Sequence, residues 1–240
     1  MGSVLASTIL DDAGVTLLDE TPTRWKDPEK FTYLNDGQRL AVLYKPDANA
    51  VIDTYRLVEG SQQCIPDGSA SYKDPAAATL AEAIILLNPI CNMGLTGIVS
   101  GKSIDVIDLK ELNASDPEWH LATASAVVES IAFDERYPKY FFTYPPQPAT
   151  PGYIKIAYSA LPADIATTAD VINLSDRFQT ALYYYVVHRC YTKDAALSPF
   201  NASRAMEFWN LFVTELGRLD LIKKGVSPNV KQPAPSPSIE

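Results

Sequence analysis

The feature that most constrains this chain is a change of hydrophobic period along its length. Near both ends, apolar residues recur every three or four positions, which is the period of an amphipathic helix. From Ala50 to about Leu161, the apolar runs are instead rich in β-branched and aromatic residues and are bounded by Pro, Gly, Asp and Ser, as is typical of strands. The pattern predicts two helices, a β-rich insert, two more helices and a proline-rich tail, which is an α+β fold.

Four terminal helices are predicted from periodic apolar residues and from the residue types that begin and end helices. Their bounds are residues 3–18 with Ser3 as N-cap, Phe31–Tyr44 stopped by Pro46, residues 176–193 after Ser175 as N-cap, and a last helix from Ser198-Pro199 to Lys223-Lys224 with Gly225 as C-cap. The predicted inward faces are Leu5, Ile9, Ala13 and Leu17; Leu34, Arg39, Leu40 and Leu43; Phe178, Leu182, Tyr185, Val186 and Arg189; and Ala202, Ala205, Trp209, Phe212, Leu216 and Leu219.

The middle segment is predicted to form strands at Val51–Val58, Ile104–Ile107, Ala126–Phe133, Tyr140–Tyr144 and Tyr153–Tyr158, with a short helix near Asp108–Asn113. The chain then divides into N-terminal helices (1–49), a β-rich insert (50–162), C-terminal helices (163–225) and an extended arm (226–240). Prolines at 228, 233, 235 and 237 remove backbone donors from the arm and favour an extended conformation.

Composition indicates a soluble protein without a general nucleic-acid-binding surface. The chain has 29 acidic and 20 basic residues, whereas surfaces that bind nucleic acid are basic. We expect no signal peptide, because no basic segment precedes an apolar run at the start, and no membrane span, because the longest apolar stretch, Ala83–Leu87, is far shorter than ~20 residues. Cys64, Cys91 and Cys190 are too far apart for a zinc site or disulfide framework, and we expect small buried thiols in the cytosol.

No residues have the spacing of a catalytic or metal site, so the sequence predicts a structural or interaction protein with no cofactor rather than an enzyme. His120 and His188 have no nucleophile or metal ligand at a suitable spacing. Asp134-Glu135 predict a hairpin turn, and Asp11-Asp12 point in different directions around a helix, so both pairs are expected to be solvated. Tyr183-Tyr184-Tyr185 cover most of a helical turn, which indicates a helix with contacts on more than one side.

Several short segments punctuate the chain with proline, glycine and aromatic residues. They are Arg24-Trp25, Leu34–Arg39, Gly60 with Gln62-Gln63 and Pro66, Asp108-Leu109, Asp116–His120, Phe133–Glu135 before Pro138, Tyr144–Pro146, Tyr158–Pro162 and Lys193-Asp194. Their order and spacing resemble the head-to-tail adaptor (connector) proteins of short-tailed bacteriophages, up to the last helix. The sequence departs from that family pattern at Leu87, where a basic residue often precedes the asparagine.

The resemblance implies an antiparallel bundle of the terminal helices with the β-rich domain inserted between them. It also implies a twelvefold homo-oligomeric ring in the virion neck, assembled in the host cytoplasm, between the portal protein and the tail nozzle or fibre proteins, with DNA passing through the bore without specific binding. The matching positions expected to shape the backbone are Trp25, Gly37, Gln38, Arg39, Gln63, Pro66, Pro117, Trp119, Pro145, Pro146 and Pro162. The arm residues expected to contact the portal or a neighbouring subunit are Val226, Pro228, Val230, Lys231, Pro233, Pro235, Pro237 and Ile239.

Two other functions remain open at this point. The chain could be another tail or nozzle completion subunit, which would share its composition and differ only in its contacts. From a different class, it could be a small-molecule-binding or hydrolytic domain that uses Asp134, Glu135 and His120.

Overall fold

The computed structural model describes residues 3–68, 80–134 and 136–226, with side chains up to residue 218. Within these residues the chain forms five α-helices and seven strands in two sheets, so the predicted α+β class is confirmed. The helices are α1 (Ala6–Leu17), α2 (Asp27–Tyr44), α3 (Leu109–Ser115), α4 (Gln179–Lys193) and α5 (Pro199–Val226). The strands are β1 (Ala50–Arg56), β2 (Gly60–Cys64), β3 (Ala83–Asn92), β4 (Asp105–Asp108), β5 (Ser130–Phe133), β6 (Tyr140–Gln147) and β7 (Tyr153–Ala160).

The chain divides into two compact units. One contains residues 1–44 and 163–240, and the other contains residues 45–162. Helices α1, α2, α4 and α5 belong to the first, which we call the helical unit. Helix α3 and the seven described strands belong to the second, which we call the β unit.

Helix α4 is the centre of the helical unit, because it contacts α1, α2 and α5. Helix α5 runs back along α4. Ring contacts place Phe208 beside Tyr191, with centroids 5.9 Å apart, and Phe212 beside Tyr185, with centroids 5.3 Å apart. Because α4 is covered on several sides, its buried residues extend beyond one narrow stripe: Ala181, Leu182, Tyr185, Val186, Val187 and Cys190.

Helices α2 and α4 approach each other closely at Gly37. A Cβ atom added to this glycine would lie 2.8 Å from Cδ1 of Tyr185, closer than side chains normally pack. The absence of a side chain at this one position therefore lets the two helices pack with the Tyr185 ring between them.

The side-chain amides of two α2 residues, buried Gln38 and half-buried Asn35, hydrogen-bond to the segment that precedes α4. Oε1 of Gln38, which is fully buried, accepts a hydrogen bond from the N–H of Asn173 at 2.8 Å. Oδ1 of Asn35 accepts from the N–H of Ile165 at 2.8 Å, and its Nδ2 donates to the carbonyl of the same residue at 3.0 Å. Buried amides are stable when they are paired in this way.

The β unit contains two sheets that share one core. The three-stranded sheet has the order β1-β7-β3 and is antiparallel. The four-stranded sheet has the order β2-β6-β5-β4, and its β4-β5 pair is parallel. A parallel pair needs a long crossover connection, and α3 lies within this one. Both sheets contribute to the core, whose largest fully buried members include Tyr55, Ile131, Phe141, Ile156 and Tyr158.

A smaller cluster lies on the opposite face of the four-stranded sheet. Ile131 and Phe141 face the core shared by the sheets, and the next residues along β5 and β6, Ala132 and Phe142, belong to the smaller cluster. This alternation follows from the two-residue period of a strand. Trp119 covers this face, with its ring centroid 5.9 Å from that of Phe142.

The predicted helix ends require several corrections. Ser3 does not cap α1, which begins at Ala6; the N–H and hydroxyl of Ser3 instead donate to the carboxylate of Asp176, at 2.5 and 2.7 Å. Ser175 makes no side-chain cap either, because a 3₁₀ turn at Asp176–Phe178 intervenes before α4. Helix α2 begins at Asp27, four residues before the predicted start, and Gly225 lies within α5, which ends at Val226.

The predicted inward faces were partly wrong in phase. Leu5 and Leu43 are exposed, whereas Ala6 and Gln38 are buried. On α5, Trp209 is half-buried, and the buried aromatic residues are its neighbour Phe208 and the predicted Phe212. On the faces predicted for α1 and α4, the following residues are buried as predicted: Ile9, Ala13, Leu17, Phe178, Leu182, Tyr185 and Val186.

Two strands were not predicted. Strand β2 has the sequence Gly-Ser-Gln-Gln-Cys and carries no apolar run. Strand β3 contains Pro89, which a sheet accommodates because β3 is an edge strand with register shifts along its pairing with β7. Strand β5 begins at Ser130 rather than at residue 126.

Candidate interaction surfaces

The histidines and the acidic turn do not form a common site through any contact in the described residues. His188 Nδ1 lies 2.8 Å from the carbonyl oxygen of Ala205 within the helical unit, and His120 is exposed. Asp134 is paired with Arg136, whose side chain contacts both carboxylate oxygens at 2.5–3.2 Å and lowers the pKa of Asp134 to about 2. Glu135 lies outside the described residues.

The other groups considered for chemistry are separate as well. Asp11 and Asp12 are both exposed on α1. A search of the described residues finds no group of three or more His, Cys, Asp or Glu side chains placed to hold a metal ion. The three cysteines are free; Cys190 is buried, which raises its pKa to about 12, but Cys64 and Cys91 are only half-buried, contrary to expectation.

The loop that connects α1 to α2 is built around the buried carboxylate of Asp19. The carboxylate accepts hydrogen bonds from the backbone N–H groups of Trp25, Thr23 and Arg24 at 3.0–3.1 Å and from the Thr23 hydroxyl at 2.7 Å. These donors, the Trp25 N–H foremost, lower the pKa of Asp19 to about 2. Asp19 was not among the predicted residues, although an acidic residue directly after a helix is a signal for such a turn.

Arg24 and Trp25, which carry part of the adaptor resemblance, are fixed by this loop. The Arg24 guanidinium donates to both carboxylate oxygens of Asp194, at 2.5 and 3.1 Å. Trp25 is buried. Arg24-Trp25 and Lys193-Asp194 are far apart in sequence, and the Arg24–Asp194 pair brings the two segments together. Arg39 donates to Asp164, so it also joins the N-terminal and C-terminal parts of the helical unit.

The remaining residues that carry the resemblance shape the β unit. Gln63 is buried and closes a turn: its Oε1 accepts from the N–H of Val58 at 2.8 Å, and its Nε2 donates to the carbonyl of Val58 at 2.8 Å. Trp119 Nε1 donates to Oδ1 of Asn113 at 2.8 Å. Pro145, which is half-buried, and Pro146, which is buried, lie within β6 near its carboxyl end. Pro66 and Pro162 are buried and Pro117 is exposed, and these three lie outside the helices and strands.

A loop of unusual composition follows β3. We call residues 93–101, Met-Gly-Leu-Thr-Gly-Ile-Val-Ser-Gly, the aliphatic loop. Leu95, Ile98 and Val99 are 59%, 76% and 71% exposed, although they are large and apolar. Gly97 has φ +73°, which favours glycine, and a Cβ there would lie 3.2 Å from the Tyr153 ring. The loop is therefore shaped to turn closely over Tyr153 while it presents aliphatic side chains to solvent.

The base of the aliphatic loop is held by Asn92, which is buried. Its Nδ2 donates to the carbonyls of Val128 and Lys102, at 2.8 and 3.1 Å, and its Oδ1 accepts from the N–H of Val128 at 2.8 Å. The backbone N–H of Met93 also donates to the carbonyl of Tyr153 at 2.7 Å, and the N–H of Tyr153 donates to the carbonyl of Gly94 at 2.9 Å. Neither Asn92 nor the exposed aliphatic residues were predicted as functional, though the glycines spaced around them are a loop signal.

Two concave surfaces also lie within the described residues, one in each unit. A groove of about 490 Å³ lies at the carboxyl end of β4; we call it the β4 groove, and it is lined by Val106, Ile107, Asp108, Leu109, Lys110, Phe133, Asp134 and Arg136. A shallower cavity of about 340 Å³ lies between α1 and α4 and is lined mainly by polar side chains: Asp12, Val15, Thr16, Gln179, Thr180 and Tyr183. Tyr183 lies 2.7 Å from the Thr16 hydroxyl, so this part of the Tyr183–Tyr185 run joins two helices.

The residues that carry the adaptor resemblance thus fix loops and turns within the two units. Comparison with known protein families finds that residues 5–232 match the family described as SU10 adaptor protein. The chain belongs to the SU10 adaptor protein family. The adaptor resemblance predicted from the sequence is therefore confirmed, and no curated protein matches the chain.

Membership in the SU10 adaptor family gives the protein a structural role in the neck or tail region of a phage virion, where it interacts with other virion proteins. Among the helices within the described residues, none has the length and apolar character needed to cross a membrane. The predicted arm contacts lie outside the described residues, except for Val226, which ends α5.

Proposed function

We propose that this SU10 adaptor protein forms a twelvefold ring that joins the portal to the tail and lines the channel through which DNA leaves the capsid during ejection. The observation that carries the proposal is the family match over residues 5–232. A ring between the portal and the tail nozzle or fibre proteins is what the head-to-tail adaptor resemblance implies. Host cytoplasmic assembly of the protein belongs to the same proposal.

The charge of the protein supports a channel that DNA passes without being bound. The chain carries a net charge of −9. A negative surface repels phosphate groups, whereas proteins that hold DNA neutralise phosphates with lysine and arginine. DNA therefore slides through the bore of the ring, and its passage depends on the channel's width rather than on specific contacts.

The proposed subunit keeps the four segments predicted from the sequence (1–49, 50–162, 163–225 and 226–240), except that residues 45–49 belong to the β unit and Val226 still belongs to α5. Helices α1, α2, α4 and α5 form an antiparallel helical bundle, the β unit is the insert, and the residues after α5 form the arm. The return of α5 along α4 supports the bundle. Half-buried Tyr183 and Tyr184 on α4, and exposed Met206 on α5, supply apolar surface for packing in an assembly.

The arm is proposed to bind the portal or a neighbouring subunit in an extended conformation. Its prolines at 228, 233, 235 and 237 lower the entropy that an extended segment loses on binding, and Val230 and Ile239 are the apolar anchors. Lys231 adds the arm's one positive charge. The full set of proposed contact residues is Val226, Pro228, Val230, Lys231, Pro233, Pro235, Pro237 and Ile239.

Deletion of the residues after Gly225 tests the arm. The deletion removes only Val226 from the described helix, so the thermal midpoint of the isolated protein should stay unchanged. Attachment to portal-containing heads should weaken, as measured by the amount of adaptor that sediments with purified heads. Equal attachment of the truncated and intact proteins would mean that the arm is not a contact.

Co-expression with the portal protein tests the ring itself and separates it from the rival role of a tail or nozzle completion subunit. The adaptor should co-purify with portal alone, in a complex whose mass corresponds to twelve copies. If it co-purifies only with tail proteins, the nozzle role is correct and the portal-joining function is not.

A further inference from the structure

Strand β1 forms one edge of the three-stranded sheet, and this edge is long and regular. Its seven residues pair with β7 in one continuous register, from Ala50 opposite Ser159 to Arg56 opposite Tyr153. An unprotected edge of this kind is a template for pairing with a further strand. The edge strand on the other side of the sheet, β3, is interrupted instead by Pro89 and by three register shifts.

The edges of the four-stranded sheet carry the protection that edge strands usually have. Strand β2 has five residues and a register shift between Gly60 and Gln62. Strand β4 has four residues and an aspartate at each end. Short strands, bulges and charges all discourage pairing with another chain. Among the described edge strands, β1 alone combines seven residues with an uninterrupted register and no proline.

The outward backbone groups of β1 follow from its pairing with β7. In an antiparallel pair, hydrogen-bonded residues alternate with residues whose N–H and C=O groups point to the other side. The N–H of Leu57 donates to the carbonyl of Gly152 at 3.1 Å in the continued register, so the odd-numbered residues of β1 bond to β7. Ile52, Thr54 and Arg56 therefore present their backbone groups outward. Within the described residues, no backbone hydrogen bond joins these three to a segment other than β7.

The arm, in an extended conformation, has N–H donors concentrated on one side. Its prolines at 233, 235 and 237 occupy alternate positions. Because successive residues of a strand direct their backbone groups to opposite sides, these prolines remove donors from one side only. Every even-numbered residue from Val230 to Glu240 keeps its N–H, and all six face the other side. This is the pattern of an edge strand, where proline is confined to positions whose N–H would face solvent.

The same prolines favour the extended conformation that a strand requires. Gln232, Ala234 and Ser236 each precede a proline, which restricts them to extended backbone angles, and the prolines themselves have a fixed φ. The arm therefore loses little entropy when it is added to a sheet. It is also long enough, since residues 229–240 span ~40 Å and the seven residues of β1 span ~23 Å at about 3.3 Å per residue.

Helix α5 carries the start of the arm past the first turn of α4. Phe212 lies beside Tyr185, which is six residues after the start of α4 at Gln179, and α5 runs back along α4. Position 218 of α5 is therefore level with the start of α4, and α5 continues to Val226, ~12 Å further at about 1.5 Å per residue. The arm thus begins outside the contact between α4 and α5, where a neighbouring copy can receive it.

We propose that the arm of one adaptor subunit adds to the β1 edge of the next copy, as a fourth strand of its three-stranded sheet. The backbone groups of Ile52, Thr54 and Arg56 pair with even-numbered arm residues between Val230 and Glu240. The proline edge of the arm faces away and accepts no further strand, so the pairing ends there. Each subunit supplies one arm and one edge, a head-to-tail contact that a closed ring satisfies in every copy. The inference rests on the proposed ring function and names the surface that the arm binds.

Photo-cross-linking identifies what pairs with β1 in rings assembled on co-expressed portal protein. Ile52, which is 58% exposed, is replaced by benzoylphenylalanine in the full chain. Irradiation should link position 52 of one copy to residues 229–240 of another, giving a ladder of covalent multimers on denaturing gels and arm peptides in mass spectrometry. The matched control places the same probe at Leu121, which is 72% exposed in the β unit but outside β1, and should give no arm peptides.

Proline substitutions test the one-sided donors of the arm directly. Ala234→Pro with Ser236→Pro removes two N–H donors from the pairing side and keeps the arm extended, so the yield of linked arm should fall at least about tenfold. The matched pair, Pro235→Ala with Pro237→Ala, adds donors only on the other side and should change the yield by less than about twofold. Binding of the arm as a polyproline helix predicts the opposite order, because added prolines favour that conformation.

The outcomes separate this contact from the ring itself. Normal rings in which position 52 links to the portal protein, to the arm of its own chain or to nothing would overturn the pairing and leave the ring function standing. An equal yield of linked arm from the two proline variants would overturn it as well. If the wild-type chain forms no ring on the portal protein, the proposed function fails, and the contact between neighbouring subunits fails with it.

Discussion

Replacing Gly37 with alanine tests the close approach of α2 and α4. On an isolated helix the change would stabilise by about 1 kcal/mol, because alanine has a much higher helix propensity than glycine. In this protein the new Cβ would lie 2.8 Å from Cδ1 of Tyr185. That ring is buried, so either the ring or one helix must shift.

The magnitude follows from the balance of these two effects. Adding a methyl group to a packed interior costs about 1–3 kcal/mol, and contact with a rigid ring rather than a flexible chain end favours the upper part of that range. After the gain in helix propensity, Gly37→Ala should lower the free energy of unfolding by about 1–2 kcal/mol. Gly217→Ala on α5 is the matched control, since no atom lies within 4 Å of its added Cβ. It should stabilise by about 0.5–1 kcal/mol.

Urea and thermal denaturation of both variants, followed by far-ultraviolet circular dichroism, measure the difference in the free energy of unfolding and in the thermal midpoint. For a chain of this size, 1 kcal/mol corresponds to about 2–4 °C in thermal midpoint, so the two variants should shift in opposite directions by measurable amounts. The reasoning would be refuted if Gly37→Ala and Gly217→Ala stabilised the protein equally, because α2 and α4 would then have room for a side chain at Gly37.

Three further predictions follow from individual contacts. Phe212→Ala removes a fully buried ring and should cost about 3–5 kcal/mol of stability, while Trp209→Ala should cost less and Glu207→Ala almost nothing in thermal denaturation; equal losses for the two aromatics would contradict the observed burial. The native fold holds the pKa of Asp19 at about 2, below its usual value of 3.8. The ionised carboxylate therefore stabilises the folded state above pH 4, and this stabilisation is lost as the pH falls toward 2. The free energy of unfolding of Asp19→Asn should therefore fall below that of the wild type most strongly at neutral pH. A difference that does not change with pH would show that the carboxylate charge is not involved. Asn92→Ala should destabilise the β unit by about 1–3 kcal/mol, because it leaves buried backbone groups without partners, and should increase amide hydrogen exchange in the aliphatic loop; unchanged exchange would mean that Asn92 does not fix the loop.

The sequence predicts the helices better than their inward faces, and the reason is visible on α2. Period and caps depend on local residues, so α2 was found and its end at Tyr44 was correct. Burial depends on neighbours that are distant in sequence: Gln38 is buried because it holds Asn173, and Gly37 is buried because it packs against Tyr185 of α4. Neither contact is encoded by an apolar period.

Among the strands too, those with a local sequence signal were predicted, and those that depend on pairing with distant residues were not. Strands β1, β6 and β7 carry β-branched and aromatic runs and were predicted, whereas β2 consists of small and polar residues and is defined by its pairing with β6. Strand β3 contains an apolar run but also Pro89, which argues against a strand until the edge position is known.

The candidate surfaces were the least predictable part. Gly94, Gly97 and Gly101 mark a loop in the sequence, yet residues such as Ile98 between them would be expected inside a core. Only the fold shows that they point to solvent. The family resemblance, by contrast, depends on proline, glycine and aromatic punctuation, which is fixed locally and was sufficient to find the adaptor family.

Electron microscopy of the virion neck tests the central claim most directly. The reconstruction should show this SU10 adaptor protein as a ring of twelve copies in contact with the portal on one side and with tail proteins on the other, around a channel wide enough for duplex DNA. Density for the chain only in the distal tail, or in a ring that does not contact the portal, would contradict the proposed adaptor function.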